Sequence, residues 1–405
     1  MGVNLPFGVH FGHSGVDMAY LGFWKDLKRP IAVLAPMADV TDAAFRRIIT
    51  KYGKFTRPDG SVGGGPDAMW TEFVSCDGLC SAGRDRLLKD LEYMEAERPI
   101  IAQFFGATPT HFYECAGLAV ELGFDGIDIN MGCPDRAVER QGAGSALIKT
   151  PELAKEIIYE TIRGAQSTGK KLPVSVKTRI GYGKNQLKEW VPALLEAEPA
   201  VITVHARTRK EMSKVPADWG AVREAVEIAH RYDSSDTCTL VFGNGDVNTL
   251  EEGKRLALEV GADGVMIGRG IFGNPWLFAE GEGKREISIE EKLRVMLEHT
   301  ELFEEVFKNP NSEGPRLIKN FDVMKKHFKA YVNGFDGAKE LRMKFMETKD
   351  ANEVRQIAET YLANFKFQIS NKLSPFGTSP EGRQYSNSNQ ENILLFCYSV
   401  IEIYL

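Results

Sequence analysis

Eight short apolar runs rich in β-branched residues recur between Ile31 and Gly268, each separated from the next by a Gly-punctuated turn and, mostly, a stretch of helical periodicity. They are IAVLA from Ile31, AMWTE from Ala68, IIAQF from Ile100, GIDIN from Gly126, PVSVK from Pro173, AVITVH from Ala200, TLVFG from Thr239 and GVMIG from Gly264. Helical periodicity is clearest over Thr110 to Glu121, Pro151 to Ala165, Gly220 to His230 and Thr249 to Val260. Eight βα units in roughly 250 residues is the count of a TIM (β/α)8 barrel, whereas a doubly wound sheet carries fewer strands and a GxGxxG turn after the first. No such turn follows Ala35. The expected α/β organisation is an N-terminal extension over 1–29, a barrel over 30–282, a smaller C-terminal helical domain over 283–370, and an accessory or disordered tail over 371–405. Strand signals stop after Phe278, and amphipathic stretches such as EEKLRVMLEHTELFEEVF predict the helices that follow.

Composition narrows the class further. At 43% hydrophobic and 26% charged, the chain is globular rather than disordered, and its net charge of −6 advertises no bulk affinity for nucleic acid. Six cysteines (Cys76, Cys80, Cys115, Cys133, Cys238 and Cys397) form no disulfide framework in a chain this long, and the opening MGVNLP reads as no leader, so a reducing, cytoplasmic setting is expected. Ile393 to Leu405 is too short to span a bilayer and contains Glu402, so no membrane association is expected. Cys76 and Cys80 lack the spacing and second pair of a zinc knuckle; no metal is expected, and no obligate protein partner is evident.

A barrel carries its chemistry on the loops at the C-terminal ends of its strands. Gly243, Asn244 and Gly245 follow the seventh strand, and Gly268, Arg269 and Gly270 the eighth. These are the loops where barrels commonly hold a phosphate, because glycines admit close backbone N–H groups and arginine adds charge-assisted bonds. The fifth strand ends in Lys177, able to hold an anionic ring or carbonyl, and the sixth in His205, able to bond a phosphate. Asn130 ends the fourth strand, and Cys133 sits in the turn before Pro134 as an acid, a nucleophile or a packed small hydrophobe. Basic residues gather locally despite the negative total. Arg207, Arg209, Lys210 and Lys214 lie beyond the sixth strand, and Arg136 and Arg140 flank the cysteine turn. Over 316–345, eight Lys or Arg stand against three Asp or Glu, with Phe321, Phe328 and Tyr331 interleaved, a pattern that suits a groove tracking an RNA backbone.

Together these stretches resemble the tRNA-dihydrouridine synthase family. The residues that carry the resemblance are APMADVTDAAFR from Ala35, TEFVS from Thr71, AQFFG from Ala102, DINMGCPDRAV from Asp128, VSVKTRIG from Val174, VHARTR from Val204, ADW from Ala217, FGNGDV from Phe242, MIGRGIFGNPWLF from Met266 and KKHFKAYVNGFDGAKELR from Lys325. The resemblance implies an FMN-binding TIM barrel, a helical tRNA-binding domain, NADPH as reductant, and reduction of the C5=C6 bond of a uridine in tRNA. It places Pro36 and Met37 along the flavin, Gln103 and Lys177 on its ring, and His205, Asn244, Gly245, Gly268 and Arg269 on the phosphate side. Cys133 becomes the catalytic general acid, Asn130 positions the base, and Arg136, Arg179, Arg207 and Arg209 contact the RNA. The connection KFTRPDGSVGGGPD departs from the family in being long. Two other readings compete: a flavin barrel acting on a free pyrimidine, disfavoured by the basic helical appendage, and a non-catalytic RNA-binding module, which would gain nothing from Lys177 and Cys133.

Overall fold

The computed structural model describes residues 19–167, 169–232, 239–279, 285–309 and 316–373, with only the backbone of 366–373. All eight expected strands form: β1 (Ile31–Leu34), β2 (Met69–Ser75), β3 (Ile100–Phe105), β4 (Gly126–Met131), β5 (Val174–Arg179), β6 (Val201–His205), β7 (Leu240–Asn244) and β8 (Gly264–Ile267). They are parallel, and β1 pairs with β8 while β8 to β2 pair in sequence. The ring is closed by two backbone bonds, Asp67 N–H to the Ala32 carbonyl (2.8 Å) and Leu34 N–H to the Ala68 carbonyl (3.2 Å). Most strand residues are buried on both faces, which is why the runs read as continuously apolar rather than alternating.

Helices α1 (Ala43–Gly53), α2 (Pro109–Glu121), α3 (Pro151–Gly164), α4 (Leu187–Leu195), α5 (Trp219–Tyr232) and α6 (Leu250–Val260) surround the ring. Their starts follow from local chemistry. Asp42 accepts a bond from Phe45 N–H at the head of α1, Thr249 one from Glu252 N–H at the head of α6, and proline occupies the first turn of α2 and α3. Two of these helices, α1 and α4, carry no clear signal in the sequence pattern. In α1 the reason is Arg46, a charged residue on the buried face. Its guanidinium is wholly enclosed and bonds Glu97 (2.6 Å), the Thr41 carbonyl (2.8 Å) and the Glu92 carbonyl (2.5 Å).

The end of the expected N-terminal extension is part of the barrel's base. A 3-10 turn, Gly22–Asp26, inserts Trp24 among Ile31, Trp70, Ile101, Leu240 and Phe242, with its ring edge-on to Phe242 at 5.4 Å. Burying an indole here closes the end opposite the site and leaves the other end free for chemistry. The long connection KFTRPDGSVGGGPD folds as an antiparallel ribbon, Lys54–Thr56 with Val62–Gly64, a strand pair that the glycine-rich sequence hides.

Helices α7 (Ile289–Phe307), α8 (Val323–Tyr331) and α9 (Ala338–Met346) belong to one compact unit, residues 1–354, together with the barrel; a second unit comprises 355–405, and α10 (Ala351–Leu373) crosses the division. Glu298 of α7 takes bonds from Lys51 (2.6 Å) and Tyr52 (2.5 Å) of α1, and Lys319 pairs with Glu72 and with Asp90 (3.0 Å). Phe321, Phe328 and Tyr331, the aromatics interleaved in the expected RNA-tracking groove, are at most 7% exposed and pack as core. That expectation is corrected: Phe328 and Tyr331 form the apolar face of α8 with Phe321 packed just before it, while Lys329 is exposed and Lys325 and Lys326 are half-buried. The boundary expected after residue 282, residues 1–18 of the extension and the tail beyond Leu373 lie outside the described residues. Among the described residues no helix is long and apolar enough to cross a membrane.

Candidate active site

Parallel strands deliver their last residues to one end of the ring, and here that end holds a cavity of about 610 Å³. Of the residues expected at the site, Pro36, Met37, Lys177, Arg179, His205, Arg207, Asn244, Gly245, Gly268 and Arg269 line it. Gln103, Asn130, Cys133, Arg136 and Arg209 do not. Met212, Ser213, Asp246, Val247 and Asn248 line it as well and were not singled out from the sequence.

Lys177 is the electrostatic centre of the cavity. Register sets Lys177 between Asn130 and Thr203, and its Nζ donates to Asn244 Oδ1 at 3.3 Å while Asn244 Nδ2 is spent on the Met266 carbonyl at 2.8 Å. An ammonium has three donors, and this amide oxygen is its one hydrogen-bond acceptor among the described residues. Burial, with Arg179 nearby, pushes its pKa down to about 8, so an anionic or carbonyl oxygen entering the cavity meets a donor under-supplied with partners. His205 is held well below the usual imidazole range, first by burial and then by Lys177, Arg179, Arg207 and Arg269, and is neutral. Arg207 Nη1 lies 3.3 Å from His205 Nε2; an arginine only donates, so Nε2 is the acceptor and the proton sits on Nδ1.

Asp246 organises the far wall. One carboxylate oxygen takes the Arg207 guanidinium and Ala217 N–H (2.9 Å), and the other takes Arg269 (2.7 Å). The loop before it turns through Gly245 at φ +135°, where an added Cβ would lie 2.8 Å from that of Ala217. The phosphate-type loop expected after β7 therefore rests on a backbone conformation that L residues avoid. Arg269 is exposed, whereas Arg207 is only 2% exposed and also bonds the Val215 carbonyl (2.6 Å).

Behind the cavity a buried polar chain runs from the barrel interior to the cysteine turn. Ser175 donates to Asp128 Oδ1 (2.5 Å), Gln103 Nε2 to Asp128 Oδ2 (2.5 Å), and Asn130 Nδ2 to Gln103 Oε1 (3.2 Å). Asn130 Oδ1 then accepts the backbone N–H groups of Gly132 (3.2 Å) and Cys133 (2.9 Å). Burial lifts the Asp128 carboxyl to about 6, against the hydrogen bonds that hold it down. The Cys133 thiol, half-buried at the rim, is raised above its ordinary value chiefly by desolvation and stays protonated at neutral pH. The exposed Arg136 follows it on the short helix Arg136–Arg140, and Arg179, 6% exposed, gives its donors to the carbonyls of Gly132, Thr208 and Met212. The remaining described thiols, Cys76, Cys80 and Cys115, are free and lie after β2 and in α2.

Fold and site define a (β/α)8-barrel enzyme whose mouth is built around an anion-seeking lysine and a protonated thiol. The particular lineage is given by comparison: the dihydrouridine synthase (Dus) family profile matches residues 33–367, and the chain belongs to that family of oxidoreductases. It is 39% identical over 341 residues to the probable tRNA-dihydrouridine synthase 2 of Bacillus subtilis (strain 168), covering 84% of this chain and 96% of the relative. It is 37% identical over 353 residues to the probable tRNA-dihydrouridine synthase of Staphylococcus aureus (strain MRSA252), covering 87% of this chain and 99% of the relative.

Proposed function

We propose that this protein is a cytoplasmic tRNA-dihydrouridine synthase that binds FMN in the β-barrel mouth and, with NADPH as electron donor, reduces the C5=C6 bond of a uridine in tRNA. Relatives named for that activity, matched over almost their whole length, support the substrate. The observation that carries the chemistry is Lys177: a half-buried ammonium with spare donors, in a cavity walled by the two glycine-bearing loops, fits an anionic group of a cofactor's size. When bound, FMN supplies the hydride that C6 receives.

The chain's own residues do the rest. Lys177 donates to the flavin ring, with Gln103 behind it; Pro36 and Met37 form the apolar wall; and His205 Nδ1–H, Asn244, Gly245, Gly268 and Arg269 hold the phosphate end. Cys133 holds the proton for C5, a role that needs a protonated thiol, and burial there keeps it so. Asn130, by fixing the turn through two backbone N–H groups, sets where thiol and base meet. The base leaves the RNA stack to reach the site, and the exposed Arg136 meets the RNA backbone at the rim. Arg179 and Arg207, whose guanidinium groups are enclosed, act on the RNA only through the walls they hold.

Cys133→Ala is the test. General acid catalysis is worth on the order of 10²–10⁴-fold. Reduction of tRNA, read as dihydrouridine by mass spectrometry, should fall by at least 100-fold with tRNA affinity within about twofold of wild type. Wild-type turnover in the variant removes Cys133 from the mechanism.

A further inference from the structure

The turn that carries Cys133 is held from both sides to a degree that backbone packing alone does not require. Its two N–H groups, from Gly132 and Cys133, converge on Asn130 Oδ1. Its three successive carbonyls each receive a donor from a different direction: Gly132 from Arg179 Nε (2.7 Å), Cys133 from Ser145 Oγ (2.9 Å) and Ser145 N–H (3.0 Å), and Pro134 from Arg209 Nη2 (3.4 Å). Arg209 is itself aimed. Its guanidinium bonds both oxygens of Glu139, through Nε (2.8 Å) and Nη2, and lies 5.5 Å over the Tyr182 ring. Ser145 Oγ also lies 3.0 Å from Glu139 Oε1, and its single proton is shared between that oxygen and the Cys133 carbonyl, so the carboxylate that holds Arg209 also meets the hydroxyl beside the Cys133 carbonyl.

An arginine placed to hold RNA phosphates keeps its fork open to solvent. Arg209 does not: its carboxylate-facing edge is used within the protein, its side chain is 23% exposed and that of Glu139 11%. We propose that Arg209 and Glu139 form a brace that positions the Cys133 turn, making them positioning residues for the proton donor rather than contacts to the tRNA backbone. The proposal rests on Cys133 being the acid. A paired fork fixes direction as well as distance, and a misplacement of about 1 Å at a reacting group can cost on the order of 10²-fold in rate.

The experiment compares wild type with Arg209→Gln, Arg209→Lys, Glu139→Gln and the Arg209→Gln/Glu139→Gln double variant. Three quantities are read: kcat and KM for tRNA, the salt dependence of tRNA binding, and the rate and pH profile of Cys133 alkylation by iodoacetamide, followed by peptide mass spectrometry. The brace predicts that each single variant loses at least tenfold in kcat with KM within about twofold and an unchanged salt slope. Lysine does not rescue, because it keeps the charge without the fork. The double variant is no worse than the poorer single one, since both remove one interaction. Cys133 should alkylate several-fold faster, with its apparent pKa moved down as water reaches the turn, while Cys76 and Cys115, buried elsewhere, react as in wild type.

A several-fold rise in KM with a salt slope smaller by about 1, at unchanged kcat and alkylation, would make Arg209 a phosphate contact and overturn the brace. Faster alkylation at all three thiols with a lowered Tm would overturn it too, as general destabilisation. The alkylation contrast needs no turnover. A wild-type protein that reduces no tRNA therefore sinks the proposed function while the alkylation result still decides the brace.

Discussion

Lys177 and Cys133 divide the work of the site by opposite responses to the same condition. Desolvation weakens the hold of the lysine on its proton and strengthens that of the thiol on its own, so one becomes a hungry donor to an acceptor and the other a stable acid. If the lysine's spare donors hold the cofactor ring, Lys177→Met should weaken FMN binding, read by quenching of flavin fluorescence, by tenfold or more. That expectation follows from a charge-assisted hydrogen bond worth about 1.5–3 kcal/mol. Unchanged affinity would place the ring elsewhere. Both residues were legible in the sequence because Lys177 lies near the end of one strand and Cys133 in the turn just after another, and the strand ends were legible from the apolar runs. Asp246, Glu139 and Ser145 were not. They bond groups distant in sequence, and nothing in the pattern of GNGDV or of the turn after NMGCP says which arginine an acidic residue will find.

Elements show the same division between what is local and what is not. The eight strands follow from runs of β-branched residues between breakers, and α2, α3, α5 and α6 follow from period and caps. The ribbon Lys54–Thr56 with Val62–Gly64 did not, because three glycines and an aspartate leave no alternation to read. The basic stretch misled at the element scale: its interleaved aromatics suggested part of an RNA-tracking groove, yet they recur at helical spacing and face inward. The loop after β7 offers a direct check on the geometry of the site. Gly245→Ala places a Cβ at φ +135° and 2.8 Å from Ala217, which should cost about 1–3 kcal/mol, read as a lowered midpoint in urea, and loosen FMN. A variant as stable and as tight as wild type would mean that the loop has another conformation of equal energy.

For the molecule as a whole, the packing of α7 and α8 against α1 turns on two buried histidines. His299 and His327 are wholly enclosed with ring centroids 4.6 Å apart, against Phe45 at 4.9 and 4.7 Å, and no ring nitrogen of either has a hydrogen-bond partner among the described residues. Burial holds His299 well below the usual range and His327 at about 3. The unfolded chain takes these protons near pH 6.5 and the folded one does not, so the stability present above that pH is lost as pH falls. By pH 5 the loss is about 2 kcal/mol for each histidine. Asp42 and Asp128, raised to about 7 and about 6, act in the opposite sense over the same range, so the comparison must be by difference. His327→Leu should remove about half of the histidine-linked loss between pH 7 and pH 5 in urea unfolding. An unchanged pH dependence would show that water already reaches the pair.

If the barrel mouth is a flavin site serving an RNA substrate, its bound cofactor must pass electrons to tRNA. That transfer is tested most directly by the visible absorbance of the purified protein, followed anaerobically through addition of NADPH and then of unmodified tRNA. Flavin bands should bleach with NADPH and return with tRNA, but not with free uracil or orotate. A protein that stays colourless after incubation with FMN, or whose reduced flavin is reoxidised by a free pyrimidine and not by tRNA, would contradict a flavin site serving RNA.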